Sequence, residues 1–236
     1  MNSLTSWIDL GNPRPRDRIE DFIPVVWPRG ESIKLPIVST NCDELCLEQE
    51  GLSFRQIAMR RRTRRSFGPL SREALSALME ITCRTQRVSE LSSQLQLSQR
   101  PVPSGGAIHP IHVLILEPEA IAVLRYDPID HVLTPVVSPL DVFDVRAAVF
   151  EVVDPQAGTI VLLAAEPNRT AAKYEASNSV VWRDAGVLIG ALALGAESLG
   201  LAHCPLGITG EPFVSGLVQQ APLVGVGAMI LGARCD

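Results

Sequence analysis

Thr159-Ile160-Val161-Leu162-Leu163-Ala164-Ala165 is apolar almost throughout, which is the pattern of a strand covered on both faces at the centre of a sheet. Further strand patterns lie on either side of it. Ile111 to Leu116, Ile121 to Tyr126 and Val132 to Val137 are short, β-branched and separated by Pro or Asp, and Val224 to Leu231 supplies a final strand. Between the central and final strands, Arg183 to Leu201 takes on a helical period and carries Gly186, Gly190, Gly195 and Gly200. Each glycine costs a helix roughly 1 kcal/mol relative to alanine, so close packing against another backbone is the expected compensation. Upstream, Ser53 caps a helix through Met59, and Ser71 caps another with Glu73 in its first turn and Leu75, Leu78 and Met79 on one face. Gln86 to Gln99 is dominated by Ser and Gln, with Leu91 and Leu95 at helical spacing, and reads as a weak surface helix or mobile loop. Helices interleaved with non-consecutive strands make an α+β domain.

The chain has 236 residues, enough for one main core. Residues 1–50, rich in Pro, Asp and Arg with scattered Trp7, Ile8, Phe22, Val25 and Trp27, read as an extension that wraps over a domain spanning 51–236. An apolar content of 46% with 20% charged residues excludes a mostly disordered chain. No apolar run approaches the ~18 to 20 residues of a membrane span, so no membrane partner is expected. A net charge of −5 disfavours nucleic acid. Residues 1–30 carry charges and prolines where a secretory signal needs an apolar stretch, and a cytoplasmic location is the expectation. Five cysteines, with only Cys42 and Cys46 close together, imply reduced thiols and no metal site.

Three local features can carry chemistry. Arg60, Arg61, Arg62, Arg64 and Arg65, with Thr63 among them, offer planar forks and a hydroxyl suited to a phosphate monoester, although the same residues also describe a solvated basic face. Pro101-Val102-Pro103-Ser104-Gly105-Gly106-Ala107 lets backbone N–H groups approach a planar ligand or an anion, and is equally the composition of a tight turn. Lys173-Tyr174 joins one of only two lysines to one of only two tyrosines directly after the central strand. Either group can accept a carbon-bound proton once deprotonated, and an exposed surface pair is the plainer alternative. His109, His112, His131 and His203 show no metal spacing, and His112 reads as a core or edge residue. Cys204 reads as a small buried hydrophobe. No Gly-x-Ser-x-Gly elbow and no phosphate loop ending in Gly-Lys-Ser/Thr is present.

The order of these segments resembles the nitroreductase-like flavoproteins, and more closely the SagB/ThcOx-type azoline dehydrogenases. Arg61-Arg62-Thr63-Arg64-Arg65-Ser66-Phe67-Gly68-Pro69-Leu70 resembles the family's opening Arg-Arg-Ser-x-Arg-x-Phe, with Thr63 replacing Ser. Arg100 to Ala107 is similar to its Arg-Pro-x-Pro-Ser-x-Gly-Ala turn. Leu124-Arg125-Tyr126-Asp127-Pro128 with His131-Val132-Leu133 is similar to its Tyr-x-Tyr-Asp-Pro…His-x-Leu hairpin, Leu124 standing in place of the first Tyr. Lys173-Tyr174 falls where members acting on peptide azolines carry Lys-Tyr, but Glu175-Ala176-Ser177-Asn178 then replace the family's Gly and Arg-rich turn.

The resemblance implies an FMN-binding α+β fold, a central mixed sheet flanked by helices, in a homodimer with the flavin at the subunit interface. Arg62, Thr63 and Arg65 are the implied phosphate contacts, joined by Arg234, while Pro103, Ser104, Gly105, Leu206 and Gly207 lie beside the ring. Lys173 and Tyr174 are the implied catalytic pair. The implied activity is oxidation of a thiazoline or oxazoline in a peptide to thiazole or oxazole, with oxygen reoxidising the flavin and a cyclodehydratase as a possible partner. A nicotinamide-driven reductase of nitro or quinone compounds on the same scaffold is the alternative enzyme. A flavin-free scaffold subunit of a peptide-modifying complex is the non-enzymatic one.

Overall fold

The structure is a computed structural model that describes residues 10–37, 52–92, 94–138 and 140–235. Trp7, Ile8, Cys42 and Cys46 lie outside the described residues. The central strand forms as the sequence dictates: β9 (Thr159–Ala165) is buried at every position. It sits between β6 (Ile111–Leu116) and β12 (Val224–Arg234), and beyond β12 lies β11 (Ala202–Leu206). On the other flank β6 pairs with β7 (Leu124–Asp127), then β8 (Val132–Pro135), then the short β2 (Ile33–Lys34) from the N-terminal segment.

Every pairing in this sheet is antiparallel, which corrects the expected mixed sheet. Strand direction leaves no mark on an apolar pattern, because a fully buried strand reads the same in either type of pair.

Period-two alternation divides the core between the two faces. Val113, Ile115, Val161, Leu163, Met229 and Leu231 face α2 (Arg72–Thr82) and α5 (Asn178–Ser198), where Leu75, Leu78, Met79, Leu188 and Leu192 meet them. Leu114, Leu116, Ile160, Leu162, Ala228 and Ile230 face α3 (Val142–Phe150) and α6 (Phe213–Gly216), with Val25 and Trp27 laid over the same face. Ser53 and Ser71 cap α1 (Phe54–Arg60) and α2 as expected, each accepting a bond from the backbone N–H three residues on.

Two further expectations are corrected. In place of the expected helix or loop, β4 (Arg87–Glu90) pairs with β5 (Gln96–Gln99) in a two-stranded ribbon. Leu91 and Leu95 shared a helical spacing, yet only Leu95 is buried. The strand expected from Ile121 begins at Leu124, because Glu117 to Ala120 close a turn that leaves Ile121 exposed.

The α5 glycines divide by cause. A Cβ on Gly195 would lie 2.9 Å from Leu78 Cδ1, so close packing on α2 requires glycine there. Gly200, at φ 70, ends the helix by donating to Glu197 O while Leu201 donates back to Ala196 O. Gly186 and Gly190 meet nothing within 4 Å among the described residues. Helix α5 is long and apolar enough to cross a bilayer by composition, but half of it is buried against the sheet and α2, and it carries buried Asp184 and Glu197.

Candidate functional site

The Pro103 to Gly106 turn leads into β6 and lies against the first turns of α5. Ser104 Oγ donates to Asp184 Oδ2 at 2.5 Å, and the Gly105 N–H donates to Asp184 Oδ1 at 3.0 Å. Ser104 Oγ in turn accepts the His109 N–H at 2.9 Å. These two donors of the turn are thus satisfied by one buried carboxylate, and the turn is locked to α5. Gly105 is needed because a Cβ there would collide with Val180.

The next residue explains a different contact. Gly106 sits at φ 66, and a Cβ on it would meet Tyr174 Oη at 2.6 Å and Lys173 Nζ at 3.0 Å. Lys173 Nζ donates to Gly106 O at 3.3 Å and lies 5.6 Å from the Tyr174 ring centroid. The structure therefore brings together two segments the sequence separates by nearly seventy residues. Both side chains are half-buried against the turn.

Lys173 and Tyr174 are held by their backbone. Lys173 follows α4 (Pro167–Ala171), and β10 (Tyr174–Glu175) pairs antiparallel with β1 (Arg14–Pro15) of the N-terminal segment. Arg16 N donates to Lys173 O, Arg16 Nε to Ala171 O, and Glu20 N to Ala172 O, each at 2.9 Å. Gly106→Ala is expected to retain the fold and cut turnover at least tenfold, because the new methyl pushes the ammonium and phenol off the turn. Circular dichroism beside steady-state turnover checks it, and undiminished turnover would show that the pair need not sit there.

The arginine segment lies at the other end of α5. Arg64 donates its N–H to His203 O, so the segment runs beside β11. Arg64 Nη1 reaches Glu197 Oε2 and Arg234 Nη2 reaches Glu197 Oε1, both at 2.9 Å. Glu197 is only 1% exposed, so the two guanidiniums neutralise a carboxylate taken out of water. His203, fully buried beside them, is held down to about 4 by burial, outweighing Glu197. Arg61, Arg62, Thr63 and Arg65 are exposed, and no described carboxylate pairs with those three arginines. Leu206 and Gly207 lie at the far end of β11, where Leu206 pairs with Ala228, six residues along β12 from Arg234, and open space stands where a Gly207 side chain would be.

The sequence profile of the nitroreductase family matches residues 58–231. The chain belongs to the nitroreductase family.

No curated protein matches it. Among solved structures, a nitroreductase from Ralstonia eutropha JMP134 superposes with a TM-score of 0.60 at 17% identity, covering 95% of this chain and 99% of that one. A chain of the Escherichia coli microcin synthetase McbBCD complex with truncated pro-MccB17 bound gives 0.56 at 16% identity, covering 85% of both. A nitroreductase in complex with FMN from Desulfovibrio desulfuricans gives 0.50 at 18% identity, covering 78% and 87%.

In this nitroreductase-family chain most of the sequence-derived residues gather at two places. Pro103, Ser104 and Gly105 lie in the turn held to Asp184 near the start of α5, with Lys173 and Tyr174 against the adjoining Gly106; Arg62, Thr63 and Arg65 flank Arg64, which with Arg234 meets Glu197 near the helix end, and Leu206 and Gly207 stand apart from them at the far end of β11. Asp184 and Glu197, which anchor the two places, were missed by sequence reasoning. The signal was available as two acids inside an apolar helical pattern. Glu197→Ala is expected to lower unfolding free energy by about 2–3 kcal/mol, less than a fully buried pair would give because Arg64 and Arg234 keep 29% and 21% exposure. Urea denaturation checks it. Among the described residues no cluster of His, Cys, Asp or Glu is arranged to hold a metal ion.

Proposed function

We propose that this chain is an FMN-dependent dehydrogenase that oxidises thiazoline or oxazoline rings in a peptide to thiazole or oxazole, acting as a homodimer in the cytoplasm. The observation that carries the reading is the placement of Lys173 and Tyr174, both half-buried, against the Gly106 turn. The likeness to a chain of a peptide-bound microcin synthetase complex, over 85% of both chains, supports the same substrate class. A cyclodehydratase that makes the azoline is the partner this reading calls for.

The residues present fit FMN. Arg62 and Arg65, exposed and without acidic partners among the described residues, together with the Thr63 hydroxyl, suit a phosphate dianion, and Arg234 adds charge at the same end. Pro103, Ser104, Gly105, Leu206 and Gly207 are the proposed neighbours of the ring. Asp184 and Glu197 are thirteen residues apart on one helix, about 20 Å, so the turn and the arginines of one chain serve opposite ends of α5. A second copy, packed across the outer face of α5, where Trp182 and Val187 are exposed beside Gly186 and Gly190, brings one chain's turn to the other's arginines.

Bound FMN supplies the acceptor for the hydride that leaves the azoline ring. Tyr174 Oη takes the proton from the α-carbon, which the adjacent imine and carbonyl acidify, while Lys173 Nζ tunes it, or the two exchange roles. The turn orients the substrate against this pair and narrows water's access to it.

The test is direct. With FMN added, the protein is expected to be yellow and dimeric and to remove two hydrogens per ring from a heterocyclised peptide, followed by mass spectrometry. A second reading, a nicotinamide-dependent nitro or quinone reductase, is favoured by the likeness to the Ralstonia nitroreductase over 95% of the chain. Rapid bleaching of the flavin by NADPH with no turnover of any azoline peptide would select it. A colourless monomer that ignores added FMN would overturn both.

A further inference from the structure

A cavity of about 150 Å³ lies on the core side of the Pro103–Ser104 turn, bounded by β5, β6, β7 and α5. None of the arginines of the 60–65 run lines it, nor do Lys173 and Tyr174. Its chemistry is uneven. Three guanidiniums reach its wall, from Arg100, Arg125 and Arg169.

The acids near them are already engaged. Asp127 pairs with Arg125 at 3.1 Å and caps the Ile129 and Asp130 N–H groups, and Asp184 is taken by Ser104 and Gly105. Glu166 accepts from Val25 N at 2.7 Å, contacts His112 Nε2 at 3.2 Å, and reaches Arg169 only at 3.9 Å. Arg125 Nε and Arg169 Nε are buried with no hydrogen-bond partner among the described residues.

Arg100 has least of all. Its Nε donates to Ser98 Oγ at 3.0 Å, and no described carboxylate pairs with its guanidinium. Burial, with Arg169 adding to it, pulls Arg100 down to about 10, still fully charged at neutral pH. His109 on the same wall is held near 4, first by burial and then by Arg100, and so adds no charge of its own. A largely enclosed cation with no described carboxylate in contact is costly, and an occupant that brings negative charge to it relieves that cost.

We propose that this cavity binds a small carboxylate, its oxygens on the Arg100 fork and its apolar body against Val102, Ile111 and Leu188. A planar carboxylate matches a guanidinium fork in geometry. The volume suits a body of about six carbons, since a cavity near 150 Å³ accepts a benzene ring. Entry lies between Val88 on β4 and Ile129 in the β7–β8 turn, both exposed lining residues. The acid is either a free small molecule or the terminal carboxylate of a peptide. Pro103 and Ser104, proposed above as neighbours of the ring, also line the cavity, but the inference rests on the arginines of its wall and not on the redox reading.

Isothermal titration of the full chain with added FMN tests it, using benzoate and N-acetylalanine, each against its amide. Each acid that binds is expected to do so at least ~10-fold more tightly than its amide, as befits a hydrogen bond to a charged group. Benzoate alone binding identifies a free small acid as the occupant, and N-acetylalanine binding identifies a peptide terminus. Arg100→Met is expected to weaken binding at least ~10-fold and Arg169→Gln by a few-fold. Should Arg100→Met fail to fold, the acid-against-amide comparison on the wild type and the Arg169→Gln variant carry the decision. Equal affinity for acid and amide, no binding of either acid, or wild-type affinity in a folded Arg100→Met protein would overturn the proposal. Release of flavin on adding benzoate would also overturn it, by making the cavity part of the cofactor's own site.

Discussion

Lys173→Ala and Tyr174→Phe are each expected to leave the protein folded and yellow while reducing azole formation, by at least ~10²-fold for whichever residue is the general base. The fold should survive because the segment is held by its main chain. β10 pairs with β1 through backbone, and the Lys173 carbonyl is bonded by Arg16 N, none of which depends on the two side chains. Among the described residues Lys173 Nζ donates to Gly106 O, a bond worth about 1 kcal/mol of stability. Activity has no such redundancy, because these are the titratable side chains that the structure sets against the outer side of the turn. Lys173→Arg separates two roles: it keeps a cation but not a readily deprotonated amine, so rescue by arginine would make Tyr174 the base. Turnover of an azoline peptide, read beside the flavin spectrum, decides it. Full activity in both variants would remove the pair from the chemistry.

The second large effect is expected from Arg62→Ala combined with Arg65→Ala. Both side chains are exposed and lack acidic partners among the described residues, so unfolding free energy should shift by no more than about 0.5 kcal/mol. Flavin affinity should fall by at least ~10²-fold, since two hydrogen bonds to a charged phosphate contribute about 1.5–3 kcal/mol each. Arg64→Ala is the instructive contrast: its guanidinium is spent on Glu197, so its loss should cost stability first. Retention of flavin at wild-type affinity by the double variant would leave the arginine run as a solvated face. Equilibrium dialysis with FMN, alongside urea unfolding, separates the outcomes.

How much of this was legible in the chain can be judged from particular residues. The apolar run at 159–165, its neighbours and the serine caps of α1 and α2 are local patterns, and they reappear as β9, β6, β12 and two capped helices. The β4–β5 ribbon was not legible. Its residues are mostly polar, so no alternation marks them, and what holds them is their backbone ladder with Leu95 and Ser98 buried. The N-terminal segment showed scattered apolar residues but not its partner. Its strand pairing with β10, directly beside the proposed catalytic pair, joins residues 14–15 to 174–175.

The sequence by itself determined the central strand and its neighbours β6 and β12, the capped helices α1 and α2, the long helix α5, and the family, because those follow from side-chain period and short motifs. Only the tertiary structure decided that the sheet is wholly antiparallel, and that Gly106 meets Lys173 and Tyr174. It alone showed that Asp184 and Glu197 consume donors which the linear reading had left available, and that Arg100 faces a cavity with no described carboxylate in contact. The physical reason is common to all four. Period and motif are properties of neighbours along the chain, whereas charge balance and close approach are set by groups that folding brings together from distant positions.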